Sequence, residues 1–374
     1  MDPKVELATL LRPAGAGIYL VSAGRDQQLA LQRTLYGAKD EREVQSRFEA
    51  AIDSLGTAKI ALLAVPSDVG AGFRRGANLG PEALRTELLR TRPAWPEEAR
   101  ALGIVDLGDV FVVPQLLTDD MLTEAQRARC QRAIYPHLSE SERAALPVSP
   151  LSIAERAWDL VFGLAPQVAP VVLGGDHSTA YPVVAALSKI RSDFGIVQPD
   201  AHTDLLEERM GIRLCFATWS FHANRLIGGA GKLVQVGIRQ TRFPRSHWEG
   251  TQDVRQFWAE QCVADPEGTL LEIVAHLRAT GVRGVYFSND VDGTDSSFVD
   301  ATGTPEVGGV DPSFIERLIG LLGKEIGLIG GDVMELAPLL GETPQSGERT
   351  VRIATDYLRH TMAAILGAPG RVLL

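Results

Sequence analysis

Short apolar runs recur along the chain, and five of the six stop abruptly at glycine or proline. They occupy residues 59–65 before Pro66, 169–173 before Gly174-Gly175, 194–198 before Pro199-Asp200, 233–236, 282–287 and 326–329. The runs are continuous rather than alternating, as expected of parallel strands covered on both faces. Residues 81–90, 152–162, 180–189, 270–279, 312–322 and 350–366 lie between or after them and have helical character. Strand alternating with helix predicts an α/β fold built on a mostly parallel sheet.

The first 57 residues read differently. Residues 28–34 and 41–55 have helical periodicity within loop-like sequence. They predict an N-terminal helical extension, residues 1–57, packed on a main domain of residues 58–374 or on a neighbouring subunit. Residues 114–150 are charged and irregular, which suggests a surface insertion.

Lys+Arg 37 against Asp+Glu 47 leaves a net charge of −10. Such a balance argues against a nucleic-acid partner and favours a cationic substrate. The three cysteines, Cys130, Cys215 and Cys262, form no C-x-x-C pair, so no disulfide framework is expected. The N-terminus lacks the basic and apolar regions of a signal peptide, and no apolar run approaches the ~20 residues of a membrane span. A cytoplasmic location, away from membranes, is the expectation.

Three strand ends carry metal-type side chains: Gly174-Gly175-Asp176-His177-Ser178, Asp200-Ala201-His202-Thr203-Asp204 and Ser288-Asn289-Asp290-Val291-Asp292. Open α/β sheets bind their ligands at such ends. Alternate side chains of an extended segment share one side, so Asp200, His202 and Asp204 can reach a single cavity, and Asp290 and Asp292 can join from another strand. Two imidazoles with four carboxylates exceed what one divalent cation needs and suit two. This donor set fits Mn²⁺, Ni²⁺, Co²⁺ or Zn²⁺. Two cations sharing one water lower its pKa and stabilise charge on a carbon under attack. Any one of these segments alone reads as a turn with a capping aspartate. Their joint placement at strand ends points to a binuclear hydrolytic centre.

From about residue 60 to 366 the chain resembles the ureohydrolases, the family of arginase, agmatinase and related amidinohydrolases. The resemblance is carried by residues 72–81 (GFRRGANLGP), by the three metal motifs in family order and by residues 290–309. Gly331-Asp332-Val333-Met334-Glu335 is similar to the family's guanidinium-binding carboxylate motif. The fold implied is an arginase-like three-layer α/β/α domain, assembled as trimers or hexamers. Carried over by position, the resemblance implies one ion held by His177, Asp200, Asp204 and Asp290. The other would be held by His202, Asp200, Asp290 and Asp292. An activated water would attack the guanidinium carbon, Glu335 would orient that planar cation, and Asp204 would pass a proton to the leaving amine. Urea and an amine or ammonia would result.

The departures from the family pattern bear on substrate. Leu206 stands where arginases place an Asn for the α-carboxylate, and Gln240-Thr241 replaces the α-amino-binding Asp, so arginine is disfavoured. Ser296 replaces a usual Pro. Phe216 occupies the position of the family's proton-shuttling His; His222 either substitutes for it or is a structural imidazole. With Thr218 and Trp219, Phe216 suggests a small aromatic substrate-binding loop. These features resemble the nickel-dependent guanidine hydrolases, which implies free guanidine as substrate. Agmatinase or guanidinobutyrase activity is the alternative. A formimino-group hydrolase and a non-catalytic family subunit are further alternatives. All six metal positions and Glu335 are present, which argues against the last, because buried carboxylates without a counter-ion are costly. Ni²⁺ and Mn²⁺ both suit the donors, so metal-delivery accessory proteins join the expected partners.

Overall fold

The computed structural model describes residues 1–18 and 24–367. Residues 19–23 of the expected extension and 368–374 of the expected main domain lie outside the described residues. Nine strands form one sheet: β1 (Leu11–Arg12), β2 (Ile60–Ala64), β3 (Ile104–Val110), β4 (Ala169–Leu173), β5 (Gly195–Pro199), β6 (Leu233–Ile238), β7 (Arg255–Trp258), β8 (Val285–Asp290) and β9 (Leu328–Met334). Their spatial order is β1-β3-β2-β4-β9-β8-β5-β6-β7. Every neighbouring pair is parallel except β1 with β3. The six expected strands are present. β1, β3 and β7 were not expected, because their sequences are short or interrupted by Asp106, Gly108, Asp109, Arg255 and Gln256.

β2 shows why the apolar runs are continuous. Ala61 and Leu63 pack into a core with helix Pro150–Leu164, whereas Ile60, Leu62 and Ala64 pack into a second core with helices Gly80–Thr91 and Pro344–Ile365. Alternate side chains thus meet opposite helical layers, giving the three-layer α/β/α arrangement.

The N-terminal segment joins this sheet directly. Helix Pro3–Leu10, capped by Asp2, docks through Glu6, whose carboxylate accepts from Arg156 at 2.6 and 3.0 Å. β1 then extends the sheet antiparallel to β3. Residues 114–150, expected to be irregular, contain helices Glu124–Ile134 and Glu140–Ala144, each opened by a capping box, Thr123 with Gln126 and Ser139 with Glu142. Cys130, Cys215 and Cys262 are free thiols. No helix among the described residues is long and apolar enough to cross a membrane.

The last two strands in sequence fill the centre of the sheet. β8 and β9 insert between β4 and β5, so four neighbouring C-terminal ends, those of β4, β9, β8 and β5, deliver residues 174–178, 335, 290–292 and 200–204 to one place.

Candidate metal centre

Glycines let these four strand ends come together. A Cβ on Gly174 would lie 1.8 Å from Met334 Sδ, and one on Gly175 would lie 1.8 Å from the Ser67 carbonyl oxygen. At Gly293, just after the third motif, a Cβ would approach the Asp200 nitrogen to 2.7 Å. Side chains here would push the loops apart. Asp204 and Glu335 both have left-handed backbones, at φ 50 and 61. Non-glycine residues seldom adopt this region, and such strain gathers at functional sites.

The first set of donors surrounds His177. Its Nδ1 lies 3.1 Å from Asp290 Oδ2 and 3.4 Å from both Asp200 Oδ2 and Asp204 Oδ2. The second set lies around His202, whose Nδ1 is 3.1 Å from Asp292 Oδ2 and 3.5 Å from Asp200 Oδ1. Donor atoms of His177, Asp200 and Asp290 all fall within 4.8 Å of one another, as do those of Asp200, His202 and Asp292. Asp200 belongs to both sets, one oxygen in each.

The surroundings hold these atoms in place. His177 Nε2 is 3.1 Å from Ser288 Oγ, which in turn donates to Asp332 at 2.9 Å. That chain fixes the tautomer and leaves Nδ1 for the centre. Asp292 accepts from the Ala201 N–H at 3.0 Å and from Thr304 Oγ1 at 2.9 Å. The Arg239 guanidinium donates to the carbonyls of Asp292, Gly293, Thr294 and Glu306, pinning the third motif to β6.

Charge in the cluster is out of balance. Burial, then Asp292 and Asp200, push Asp290 well above the carboxylate range; burial and Asp200 do the same to Asp204. Burial, Asp290 and Asp176 push Glu335 up. Against burial, the hydrogen bonds of Asp200 and Asp290 raise His177, and Asp292 with Asp200 raises His202 to about 12. Acids that resist ionising beside bases that resist deprotonating describe a pocket short of positive charge. Carboxylate oxygens and imidazole nitrogens converging on two points fit two divalent cations, which would supply that charge.

The other expected site residues take varied positions. Glu335 adjoins the cluster: its Oε1 accepts the His177 N–H at 2.9 Å, and Gly303 leaves room beside its Oε2. Trp219 is fully buried beneath the centre, stacked on His177 at 4.4 Å, and its Nε1–H donates to Asp204 Oδ2 at 3.1 Å. Thr218 is fully buried too; its Oγ1 accepts from the Cys215 N–H at 2.9 Å and donates to the Arg213 carbonyl at 2.8 Å, closing its own loop. Phe216 lies against Gly72 with the Arg209 guanidinium 5.0 Å above its ring. His222 is tied elsewhere: its Nε2 lies 3.0 Å from the carbonyls of both Glu207 and Arg213, and burial lowers its pKa.

Two further residues, outside the expected site, adjoin the cluster. Glu306 Oε1 comes within 3.9 Å of His202 Nε2; its place in residues 290–309 was the available signal. Gln198 Nε2 donates to Asp200 Oδ2 at 2.7 Å, and a glutamine inside an apolar run was its signal.

The sequence model of the arginase family matches residues 58–364. A guanidinobutyrase of Pseudomonas aeruginosa is 29% identical over 300 residues, covering 77% of this chain and 81% of its own. A mitochondrial agmatinase of Gallus gallus is 28% identical over 288 residues, covering 75% and 74%. In architecture, the proclavaminate amidino hydrolase of Streptomyces clavuligerus superposes with a TM-score of 0.65 at 24% identity, covering 83% of this chain and 92% of its own, a likeness of fold.

Proposed function

Because the chain belongs to the arginase family and is a hydrolase of guanidino C–N bonds, we propose that it converts free guanidine to urea and ammonia. His177, Asp200, Asp204 and Asp290 would hold one divalent cation, and His202, Asp200, Asp290 and Asp292 a second, Ni²⁺ or Mn²⁺ in either place. When bound, such a pair supplies a water of lowered pKa and a Lewis acid beside the scissile carbon.

The protein's own groups do the rest. Glu335, buried and held by the His177 N–H, presents a carboxylate to the planar guanidinium, a match of paired charge-assisted hydrogen bonds. Asp204 takes the proton from the attacking water and hands it to the departing nitrogen. Its Oδ2 is engaged by Trp219 Nε1–H, which leaves Oδ1 to carry the proton. Trp219 orients Asp204 and His177 together.

The observation that carries guanidine over longer substrates is the chemistry after the second motif. Leu206, Met210 and Phe216 stand there, and Arg209 is stacked on Phe216. Free guanidinium has no tail to recognise and needs nothing from such a rim. Glu306 favours a second reading. A carboxylate so near His202 suits the ammonium tail of agmatine, and a relative named agmatinase accords with it.

Urea release by protein loaded separately with Mn²⁺ and Ni²⁺ separates the two readings. The panel is guanidine, methylguanidine, agmatine, guanidinobutyrate and arginine. Guanidine should be the preferred substrate; turnover of agmatine or guanidinobutyrate without guanidine would reject the first reading. Release of formamide from an added N-formimino amino acid, without urea from the panel, would point instead to formimino-group hydrolysis. We further take residues 1–57 as an extension of a catalytic domain spanning 58–374, the assembly as a trimer or hexamer, and the location as cytoplasmic. Sedimentation of the full chain tests the assembly.

A further inference from the structure

Asp200 is reached from the side by a line of buried amides that the reaction does not use. Gln198, Gln235 and Gln256 are each fully buried. They lie level on three neighbouring strands, Gln198 paired with Gln235 and Gln235 with Gln256. Three carboxamides inside an apolar sheet are unfavourable unless their donors and acceptors are met. Here they are met head to tail. Trp258 Nε1–H donates to Gln256 Oε1 at 2.9 Å, and Gln256 Nε2 to Gln235 Oε1 at 2.8 Å. Gln235 Nε2 donates to Gln198 Oε1 at 2.9 Å, and Gln198 Nε2 to Asp200 Oδ2 at 2.7 Å. Ser220 Oγ adds a second hydrogen bond to Gln198 Oε1 at 2.7 Å. Gln235 also donates to the carbonyl of Thr203, one residue before Asp204.

The two ends fix the direction of the line. An indole N–H only donates, and an ionised carboxylate only accepts. Trp258 therefore turns the Gln256 oxygen outward and its NH₂ inward. The same constraint passes through Gln235 until Gln198 must offer an N–H to Asp200. Flipping any one amide would set donor against donor or acceptor against acceptor in a buried place, and each hydrogen bond polarises the next.

We infer that Trp258, Gln256, Gln235 and Gln198 form a polarised amide relay that orients Asp200 and sets how tightly the centre holds its cations. The relay rests on the reading that Asp200 is a ligand to both ions. These are positioning residues: Trp258 and Gln256 act through Gln235 and Gln198. Asp200 Oδ1 receives the His202 N–H at 2.6 Å while Oδ2 receives the relay, so both oxygens are held in place before a cation arrives. That preorganisation is what the outer partners of metal ligands provide.

The test is the Mn²⁺ affinity of the chelator-stripped full chain, measured by competition with a fluorescent chelator. Wild type, Gln198→Met, Trp258→Phe and the double variant are compared, with thermal unfolding of each metal-free protein alongside. Gln198→Met should weaken Mn²⁺ binding about 10- to 100-fold. Trp258→Phe, which removes one neutral donor, should weaken it about threefold. In the double variant Trp258→Phe should add nothing, because the path to Asp200 is already cut. Equal effects of Trp258→Phe in both backgrounds, or wild-type affinity in that variant, would overturn the relay and leave the ligand assignment standing. A lowered unfolding temperature with unchanged Mn²⁺ affinity would overturn it in favour of a packing role. If Gln198→Met does not fold, Trp258→Phe alone decides, by a threefold loss or none. Wild-type protein that binds no Mn²⁺ would overturn the ligand assignment and the relay together.

Discussion

Two buried charge clusters sit at strand ends of the same sheet, and they solve the same problem in opposite ways. At β3, the fully buried Arg85 guanidinium donates to Asp109 at 2.5 Å and to both oxygens of Asp106 at 2.7 and 2.9 Å. Asp109 also accepts the N–H groups of Gly15 and Gly17, at 2.9 and 3.0 Å. A Cβ on Gly17 would come within 2.6 Å of Asp109 Cβ, so only glycine lets the chain approach so closely. This cluster carries its own counter-charge and ties the N-terminal segment to the sheet. The cluster at β4, β9, β8 and β5 has four aspartates and Glu335 facing two imidazoles and no arginine: His177 and His202 hold Asp200 low, while Asp290, Asp204 and Glu335 are pushed up by burial and by neighbouring carboxylates. The first cluster is closed by its own arginine; on our proposal the second takes its counter-charge from cations. Which of the two a buried group of carboxylates becomes depends on whether an arginine is built in.

The largest effect should come from Asp290→Ala. Losing a carboxylate of the first set that we propose serves both ions should abolish stoichiometric metal binding and lower turnover about a thousandfold or more, since metal assistance supplies several kcal/mol. The metal-free variant should unfold no more easily than metal-free wild type, because a crowded carboxylate has gone. Metal analysis, urea release and thermal melts check this together; a marked drop in metal-free stability would mean the cluster is closed after all.

Arg85→Met should do the reverse. Leaving Asp109 buried without its partner should cost about 3–5 kcal/mol of stability in denaturant titrations, with Mn²⁺ affinity of the remaining folded protein unchanged. Altered metal affinity would show that the two clusters are coupled and the contrast between them too simple.

A smaller effect is expected for Glu335→Ala. Metal content should stay at the wild-type level while kcat/KM falls about a hundredfold, the scale of one charge-assisted contact in a dry site. Full activity would remove Glu335 from guanidinium binding.

The metal-dependent gain in stability should also vary with pH. In metal-free protein the acids Asp290, Asp204 and Glu335 have raised pKa values, so the folded state binds extra protons and loses stability as pH rises from the unfolded carboxylate range. His202, raised to about 12, acts in the same sense above its unfolded value near 6.5. Cations that displace those protons should therefore raise the melting temperature by a few degrees more at pH 8 than at pH 6. An equal gain at both would mean that these groups keep their protonation when metal binds.

The open cluster was far more legible in sequence than the closed one. Its acids and imidazoles follow apolar runs and sit beside glycines such as Gly174 and Gly175 that only close backbone approach requires. Arg85 and Asp109 lie within a helix and a polar-looking strand whose contact spans the sheet, so nothing local marks them. β7 was illegible for the same reason: Arg255 and Gln256 dilute its apolar pattern, and Gln256 is buried only because Gln235 and Trp258 meet its amide. Trp219 reads as a loop aromatic in sequence, and only the folded chain puts its ring on His177. Thr123 and Ser139 did carry a local helix signal, three residues before Gln126 and Glu142, within a stretch whose charge suggested irregular chain.

On our proposal the open cluster takes its missing charge from two cations. Calorimetric titration of the chelator-stripped protein with Mn²⁺, at matched pH in two buffers of different ionisation enthalpy, tests it most directly. The expected result is two equivalents bound per chain with net proton release, and no stoichiometric binding in Asp290→Ala. Binding of one equivalent or none by wild type, or undiminished binding by Asp290→Ala, would contradict it.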